Sequence, residues 1–255
     1  MLDISNLTLR RGWTTILDRV TVPSIEGGSL IGVLGPNGCG KSTLLKALAG
    51  VLSFQGTAML DGSPISDMPR FKKSSVIGYL PQDLPPPSTF VAYEVVITAC
   101  KAARPDLSGE QVAAAAQTAF DRLGLGELAF RPLSRMSGGQ RQLVGLAQVL
   151  VRNPRLFLLD EPTSALDLKW QSVVFDLLRE HVRMRAAACL VAMHDINLVL
   201  RYCDQVAVIG NGSIRAYGPP EQAITPQVLR DIYQVDGHVE ASASGARMIY
   251  VSGAL

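Results

Sequence analysis

One short segment limits the folds open to this chain more than any other, because it joins a glycine-rich loop to a strand and a helix. Residues 35–42 read Gly-Pro-Asn-Gly-Cys-Gly-Lys-Ser, which matches the pattern G-x-x-x-x-G-K-S. The apolar run Ser29–Leu34 precedes the loop, and Leu44, Leu45 and Leu48 follow it with helical spacing. A phosphate loop in this context predicts an α/β fold with a mostly parallel sheet flanked by helices.

The chemistry of the loop follows from its residue types. Glycines allow backbone N–H groups to point at a phosphate. Lys41 can bring its charge to the β- and γ-phosphate oxygens, and the Ser42 hydroxyl can bind Mg²⁺. A glycine-rich turn that binds nothing is the alternative, and the flanking strand and helix argue against it. The sequence therefore predicts a magnesium nucleotide site formed by Gly35, Pro36, Asn37, Gly38, Cys39, Gly40, Lys41 and Ser42.

Three further apolar runs, Val76–Leu80, Leu156–Asp160 and Cys189–Met193, are typical of strands buried on both faces. Polar residues follow each run at its carboxyl end. Ligands of open α/β sheets bind at the carboxyl ends of strands, so we expect these polar residues to lie near the phosphate loop. They are Gln82, the pair Asp160 and Glu161, and the pair His194 and Asp195.

The pair Asp160 and Glu161 offers two carboxylates at one strand end. One carboxylate can lie beside Mg²⁺ while the other polarises an attacking water. A solvated acidic turn is the alternative, and it is common for Asp-Glu outside phosphate-loop proteins. In this chain the pair predicts metal binding by Asp160 and a hydrolytic role for Glu161.

The pattern of the chain changes after the proline-rich stretch Pro85–Ser88, which cannot pair in a sheet and is typical of a connector. Alanine- and leucine-rich helix follows, as in Gln111–Leu123, where Ser108 and Gln111 have capping-box spacing. Near the end of the chain, Thr225 is a candidate helix N-cap before Pro226. We expect a single domain, with a catalytic core at residues 1–89 and 151–217, an inserted helical subdomain at 90–150 and a tail at 218–255.

Net charge, apolar spans and cysteine spacing indicate which partners, which location and which cysteine chemistry to expect. Lysine and arginine number 24 against 22 acidic residues, so a net charge of +2 gives no reason to expect nucleic acid as a partner. The first residues lack the pattern of a secretory signal, and no long apolar span occurs, so we expect a soluble cytosolic protein. Cys39, Cys100, Cys189 and Cys203 lack paired spacing, which favours buried thiols over disulfides or a zinc site.

The segment Ser137-Gly138-Gly139-Gln140 alone indicates only a capping box at a helix start. Together with the phosphate loop and the Asp-Glu pair, it resembles the signature motif of ABC ATPases. The resemblance covers nearly the whole chain, with the motifs in the family's order. They are Walker A at Gly35–Thr43, the Q-loop at Gln82, the signature at Ser137–Gln142, Walker B at Leu156–Glu161, the D-loop at Ser164–Asp167 and the switch histidine His194.

The resemblance implies an ATPase that uses ATP and Mg²⁺, with antiparallel strands near its amino terminus. It implies that Glu161 is the general base, that His194 senses the γ-phosphate, and that Gln82 contacts magnesium or water. It also implies a head-to-tail dimer, in which the signature of one chain contacts the γ-phosphate held by the other. The helix dipole at Ser137 agrees with anion binding there. The implied nucleotide contacts add Thr43, Ser137, Gly138, Gly139, Gln140 and Asp167.

The chain departs from the family at the position that stacks on adenine. Counting back from Ile16 places that aromatic at Arg11, while Trp13 would lie on the same side if the strand continued. Either side chain could stack, through a guanidinium plane or an indole face, and we favour Trp13. After the signature, Leu143 and Gln148 occupy positions where family members often carry arginine.

The carboxyl-terminal part, from Arg201 through Gly218-Pro219-Pro220 to Val235, resembles ATPase subunits of iron(III)-siderophore importers. Importers of heme and cobalamin share this layout and remain alternatives. The resemblance implies a homodimer on the cytoplasmic face of the membrane, bound to a permease dimer that a periplasmic or extracellular substrate-binding protein serves. Soluble ABC ATPases of DNA repair or translation, and a kinase on the same loop, fit the motif set and the spacing less well.

Overall fold

The computed structural model of this chain describes residues 1–242 and 245–255. Its strands are β1 (Leu2–Arg11), β2 (Thr14–Ile25), β3 (Leu30–Leu34), β4 (Gln55–Leu60), β5 (Ser63–Pro64), β6 (Ile77–Leu80), β7 (Leu156–Asp160), β8 (Ala188–Ala192), β9 (Gln205–Gly210), β10 (Ser213–Gly218), β11 (Val235–Ala241) and β12 (Arg247–Ala254). Its helices are α1 (Lys41–Leu48), α2 (Arg70–Val76), α3 (Ala92–Ala103), α4 (Gly109–Arg122), α5 (Gly138–Leu150), α6 (Leu168–Arg185), α7 (Ile196–Tyr202), α8 (Pro220–Ala223) and α9 (Pro226–Val228).

The larger sheet has the strand order β10-β9-β3-β8-β7-β6, and its neighbours are parallel except for β9 and β10. Every residue of β3, β7 and β8 is buried. Leu30 and Leu34 of β3 pack into one apolar cluster, whereas Ile31 and Val33 pack into a second cluster on the opposite face. The predicted α/β fold with a mostly parallel sheet is therefore confirmed.

The boundaries of two predicted strands shift by one residue. Val76 ends α2, so β6 begins at Ile77, and Met193 lies just beyond the end of β8. Both shifts leave the polar residues Gln82 and His194 after the carboxyl ends of two parallel strands, β6 and β8, that flank β7. The topology thus places the strand ends on the edge that also carries the phosphate loop.

A second sheet, with the order β2-β1-β4-β5, is antiparallel throughout. The antiparallel strands expected near the amino terminus are confirmed. Buried residues of β1, such as Leu7 and Leu9, pack in the same apolar cluster as Leu44 and Leu48 of α1. This sheet therefore supports the helix that follows the phosphate loop.

Helices α3, α4 and α5 pack together beside the larger sheet. Phe120 of α4 is fully buried, and its ring centroid lies 6.0 Å from that of Tyr93 in α3. The predicted capping box at α4 is confirmed, because the Ser108 hydroxyl accepts a hydrogen bond from the Gln111 N–H. Short 3₁₀ turns at Gly126–Leu128 and Leu133–Arg135 lead into α5.

The carboxyl-terminal segment turns back onto the core. The predicted N-cap at Thr225 is confirmed, since its hydroxyl accepts from the Val228 N–H at 3.2 Å. A π-helical turn at Leu229–Tyr233 follows α9, and β11 and β12 then form a hairpin. The Ile249 N–H of this hairpin donates to Asn197 Oδ1 in α7 at 2.9 Å. The tail is therefore attached to the helix that follows His194.

Two further findings bear on the expectations from composition. Cys39, Cys100, Cys189 and Cys203, all within the described part of the chain, are buried free thiols, as predicted. Among residues 1–242 and 245–255, no helix is both long and apolar enough to cross a membrane.

Candidate functional site

The phosphate loop connects β3 to α1 in a backbone conformation that requires glycine. Gly35 has φ 146°, and a Cβ there would lie 2.2 Å from the Ile209 carbonyl oxygen. Gly40 has φ 111° immediately before α1. Because only glycine adopts such angles at little cost, these positions fix the loop around the first turn of the helix.

Lys41 begins α1 and turns its ammonium group back into the loop. Its Nζ donates to the carbonyl oxygens of Gly35 at 2.7 Å and Pro36 at 3.1 Å, and the residue is buried. Burial lowers the pKa of Lys41, while Cys39 and the carboxylates of Glu161 and Asp160 act in the opposite direction. Loop carbonyls therefore hold this cation where incoming phosphate oxygens could replace them as partners.

Asp160 ends β7 beside the start of α1. The Ser42 hydroxyl donates to Asp160 Oδ1 at 3.0 Å, whereas the buried Oδ2 atom has no hydrogen-bond partner among the residues that the structure describes. Burial raises the pKa of Asp160, and the Ser42 hydrogen bond opposes that shift. An unsatisfied carboxylate oxygen next to a hydroxyl suits a hard cation with oxygen ligands, so Ser42 and Asp160 fit Mg²⁺.

Glu161 follows β7 in a left-handed backbone conformation with φ 51°. For a residue other than glycine this conformation costs roughly 1–2 kcal/mol, so the surrounding contacts must hold it. Its N–H donates to the Ala192 carbonyl at 3.0 Å. Its side chain is only 13% exposed and makes a short hydrogen bond to Nε2 of His194. One contact thus joins the candidate general base to the candidate phosphate sensor.

Lys41, Ser42, Glu161 and His194 line one cavity of about 390 Å³, and Asp160 is not among its lining residues. Three strand ends contribute polar side chains to it, as the sequence pattern predicts. Its polar lining can bind phosphate and a cation, and it can place a carboxylate beside water. The lining residues are Asn37, Gly38, Gly40, Lys41, Ser42, Thr43, Gln82, Glu161 and His194.

The signature and D-loop residues do not line this cavity. Ser137 is the N-cap of α5, where its hydroxyl accepts from the Gln140 N–H and Gln140 Oε1 accepts from the Ser137 N–H. Asp167 is the N-cap of α6 and accepts from the Trp170 N–H at 2.9 Å. The N–H groups of Gly138 and Gly139 start α5 and have no acceptor within the helix. An anion could bind them from outside.

The two candidates for adenine stacking differ from the expectation in one respect. Strand β1 ends at Arg11, and Gly12, with φ 60°, turns the chain into β2. Trp13 therefore lies in a hairpin turn, so the continued strand on which same-side alignment with Arg11 depended is not formed. Both residues are exposed, and Trp13 projects fully into solvent.

Sequence reasoning missed Gln142, which it treated only as a continuation of the signature. This glutamine is 6% exposed and makes hydrogen bonds to the Glu161 carbonyl and to the D-loop. A usable signal was present, because Gln142 shares a helix face with the buried Leu146 and Val149. An amide on an apolar face indicates a buried hydrogen-bonding role.

Comparisons with known proteins agree with this geometry. A family model described as ABC transporter matches residues 19–164. The chain is 37% identical over 246 residues to a hemin import ATP-binding protein of Pseudomonas aeruginosa, covering 92% of this chain and 93% of that protein. It is 34% identical to a cobalamin import ATP-binding protein of Halobacterium salinarum, covering 90% of this chain but only 58% of that longer protein.

Solved structures are similar as well. A chain of an inward-facing ABC transporter of the metal-chelate type is 25% identical, with a TM-score of 0.81, and the match covers 100% of this chain and 97% of that chain. A dimeric ATP-binding cassette bound to ADP and phosphate is 26% identical, with a TM-score of 0.76 and coverage of 86% and 99%.

Proposed function

Because the chain belongs to the ABC transporter family of ATP-binding proteins, we propose that it hydrolyses ATP to drive uptake of a metal chelate through a membrane permease. The observation that carries the proposal is the cavity shared by Lys41, Glu161 and His194. It combines a buried cation, a carboxylate and an imidazole around a phosphate loop, and these groups can bind the phosphates and activate a water for hydrolysis of a phosphoanhydride.

In the proposed mechanism, the loop amides and Lys41 hold the β- and γ-phosphates. Ser42 and Asp160 would hold Mg²⁺, with Gln82 as a further candidate contact, and the bound ion would supply charge neutralisation on the phosphate oxygens. Glu161 takes a proton from water as that water attacks the γ-phosphorus. His194 orients Glu161 through their hydrogen bond and would contact the γ-phosphate.

We further propose that a second copy of the chain completes each site. Gly138 and Gly139, which follow the N-cap Ser137, present the N–H groups of a helix N-terminus and do not line the phosphate cavity of their own chain. A head-to-tail dimer would place these groups on the γ-phosphate bound by the partner's loop. Gln140 and Asp167 hold the two helix starts in shape. The dimeric cassette among the similar structures supports this arrangement.

The permease contact is proposed at the helical subdomain, residues 90–150. An open groove of about 580 Å³ lies along α3 and is lined mainly by Phe90, Val95, Ala99 and Ala102. Phe90 is 63% exposed there. An apolar groove rimmed by polar residues suits a short helix of a partner protein. Closure around ATP would move this groove relative to the core and so transmit the motion.

The cargo is proposed from relatives and sequence together. The tail favours ferric siderophore from sequence alone, whereas the similar proteins are named for import of hemin and of cobalamin. All three are bulky metal chelates, so we propose that class, with siderophore and hemin as the first candidates. The ATPase would act at the cytoplasmic face of the membrane, with a permease dimer and a substrate-binding protein outside.

The catalytic part of the proposal is tested by Glu161→Gln. The amide fills the same space but cannot take a proton, so we expect ATP binding to persist while turnover falls about 10²- to 10⁴-fold. Asp121→Asn, an exposed acid-to-amide change in α4, serves as the matched control. Wild-type turnover in Glu161→Gln would contradict the assignment of the general base.

The transport part is tested separately. The chain is co-expressed with the permease and binding protein that purify with it, and uptake of ferric siderophore, hemin and cobalamin is measured. We expect uptake of one of them to require both the chain and intact Glu161. A chain that hydrolyses ATP but purifies with no membrane protein would contradict the transport role and leave the ATPase role standing.

A further inference from the structure

Gln142 is a buried polar residue on α5 whose amide bridges two functional segments. Its Nε2 donates to the Glu161 carbonyl oxygen at 2.6 Å and lies 3.4 Å from Ser164 Oγ. Its Oε1 accepts from the Ala165 N–H at 3.1 Å. The helix that begins at the signature Ser137 is therefore hydrogen-bonded to the residue that follows β7 and to the D-loop.

The Glu161 carbonyl is the point on which several donors converge. Besides Gln142 Nε2, it accepts from Ser164 Oγ at 3.1 Å and from the Ser164 N–H at 3.3 Å. This carbonyl belongs to the residue with the left-handed backbone. The direction of the Glu161 side chain depends on that backbone conformation, so donors that fix the carbonyl also fix where the carboxylate points.

A second contact, between Gly139 and the D-loop, restricts movement of α5 relative to the D-loop. Gly139, in the first turn of α5, lies so close to the D-loop that a Cβ would meet the Ala165 carbonyl oxygen at 2.6 Å. Gln142, one turn further along, bonds to the N–H of the same Ala165. The start of the signature helix, the D-loop and Glu161 are thus packed as one unit.

We propose that Gln142 is a positioning residue for hydrolysis, which ties the orientation of Glu161 to the signature helix. When the start of α5 engages the nucleotide of a partner chain, this amide would hold Glu161 in the geometry for attack in its own site. The inference rests on the proposed ATPase function and adds to it a route between the two sites of a dimer.

The side chain at this position needs both a donor and an acceptor. A glutamate would set a carboxylate oxygen against the Glu161 carbonyl while keeping an acceptor for the Ala165 N–H. A methionine would match the volume but would remove one donor from the Glu161 carbonyl, which would keep its Ser164 donors, and would leave the Ala165 N–H without its present acceptor. Two variants, Gln142→Glu and Gln142→Met, therefore remove the donor in different ways.

The experiment measures steady-state ATP hydrolysis and thermal unfolding of both variants. We expect kcat to fall by about 10²-fold, since a misplacement of about 1 Å in a catalytic group can cost that much, while KM for ATP stays near that of the wild type. Gln117→Met in α4 is the matched control, because it removes an exposed glutamine that donates to Asp121. It should retain wild-type kcat.

A double variant separates positioning from general stability. If Gln142 acts through Glu161, then Gln142→Met added to Glu161→Gln should cause no further loss of the residual turnover. If Gln142→Met fails to fold, Gln142→Glu is measured in the same pair of backgrounds. A wild-type kcat in the folded variant, or an equal further loss in the Glu161→Gln background, would overturn the inference. Failure of the wild-type chain to hydrolyse ATP would instead contradict the proposed function.

Discussion

The phosphate loop and the start of the signature helix both present backbone N–H groups at a helix N-terminus. They differ in how many of the other polar groups around those N–H groups the same chain supplies. The first is enclosed: Lys41 is buried and bonded to loop carbonyls, and Gln82, Glu161 and His194 line the same cavity. The second is open, since the side chains of Ser137 and Gln140 cap the helix through each other's N–H groups and leave the N–H groups of Gly138 and Gly139 without an acceptor in the helix. One region is a site within the chain, and the other is half of a site.

This difference has a physical origin. Folding satisfies buried charges and carbonyls internally because leaving them unpaired costs free energy. At the exposed first turn of α5, N–H groups without a protein acceptor cost little free energy, because water can bind them. A nucleotide must therefore displace existing partners at Lys41, whereas at Gly138 and Gly139 it would meet N–H groups that have no acceptor within the helix.

The strongest test of this comparison mixes two inactive variants. Lys41→Ala disables the phosphate loop and Ser137→Arg disables the signature, so each homodimer should lose nearly all ATPase activity. In a mixed dimer, one site would combine the intact loop of one chain with the intact signature of the other. We expect activity to appear on mixing under conditions that allow dimers to exchange.

The control for this experiment mixes each variant with itself after the same exchange step. If the mixture shows only the sum of the two inactive parents, each site would be completed within a single chain. That outcome would contradict the half-site interpretation of α5 and the proposed head-to-tail dimer.

A smaller effect is expected at Asp160, where burial of an ionised carboxylate lowers the stability of the folded state. Burial raises the pKa of Asp160, so the folded state favours its protonated form, and this contribution to stability is lost as pH rises through the folded-state pKa. Asp160→Asn should therefore raise the Tm of the nucleotide-free protein at neutral pH, with the gain vanishing in acid.

Asp160→Asn should also abolish the stabilisation that Mg²⁺ with ATP gives the wild type. Calorimetry across pH, with Asp121→Asn as control, checks both. An unchanged response to Mg²⁺ would contradict the metal assignment.

The thiol in the loop should react slowly. Cys39 is 8% exposed, and burial raises its pKa, with Lys41 opposing the shift. Alkylation depends on thiolate, so its rate at neutral pH should be below that of a free thiol and should increase with pH. Bound Mg-ATP should slow it further and preserve activity. The variant Cys39→Ala serves as the control, because any labelling of it occurs at other cysteines. Loss of activity at the same rate with and without nucleotide would contradict the placement of Cys39 in the nucleotide site.

The smallest effect concerns adenine. An exposed stacking contact is worth about 0.5–1 kcal/mol, so Trp13→Ala should raise the Kd for ATP by about two- to fivefold. Arg11→Ala should have a smaller effect if the indole is the platform. Titration of each variant with ATP compares their Kd values, and Arg10→Ala, a change on the same strand, serves as the control. A larger effect of Arg11→Ala would reverse the assignment.

Local patterns decided much of the fold before any tertiary contact was known. The strand, loop and helix around Lys41, the buried strands at 156–160 and 188–192, and the caps at Ser108, Ser137 and Thr225 follow from nearest-neighbour chemistry. Periodicity and capping act over a few residues, so sequence is sufficient for them. It also located the polar strand ends that line the cavity.

Long-range geometry required the tertiary structure. The hairpin that turns at Gly12 removed the expected alignment of Trp13 with Arg11, and the left-handed backbone of Glu161 has no signal in its own residue type. The three hydrogen bonds of Gln142 join α5 to the D-loop and to the end of β7. Which donor meets which acceptor depends on packing between segments distant in sequence. Sequence alone therefore determined the phosphate loop, whereas the folded chain decided what connects the signature helix to Glu161 and the D-loop.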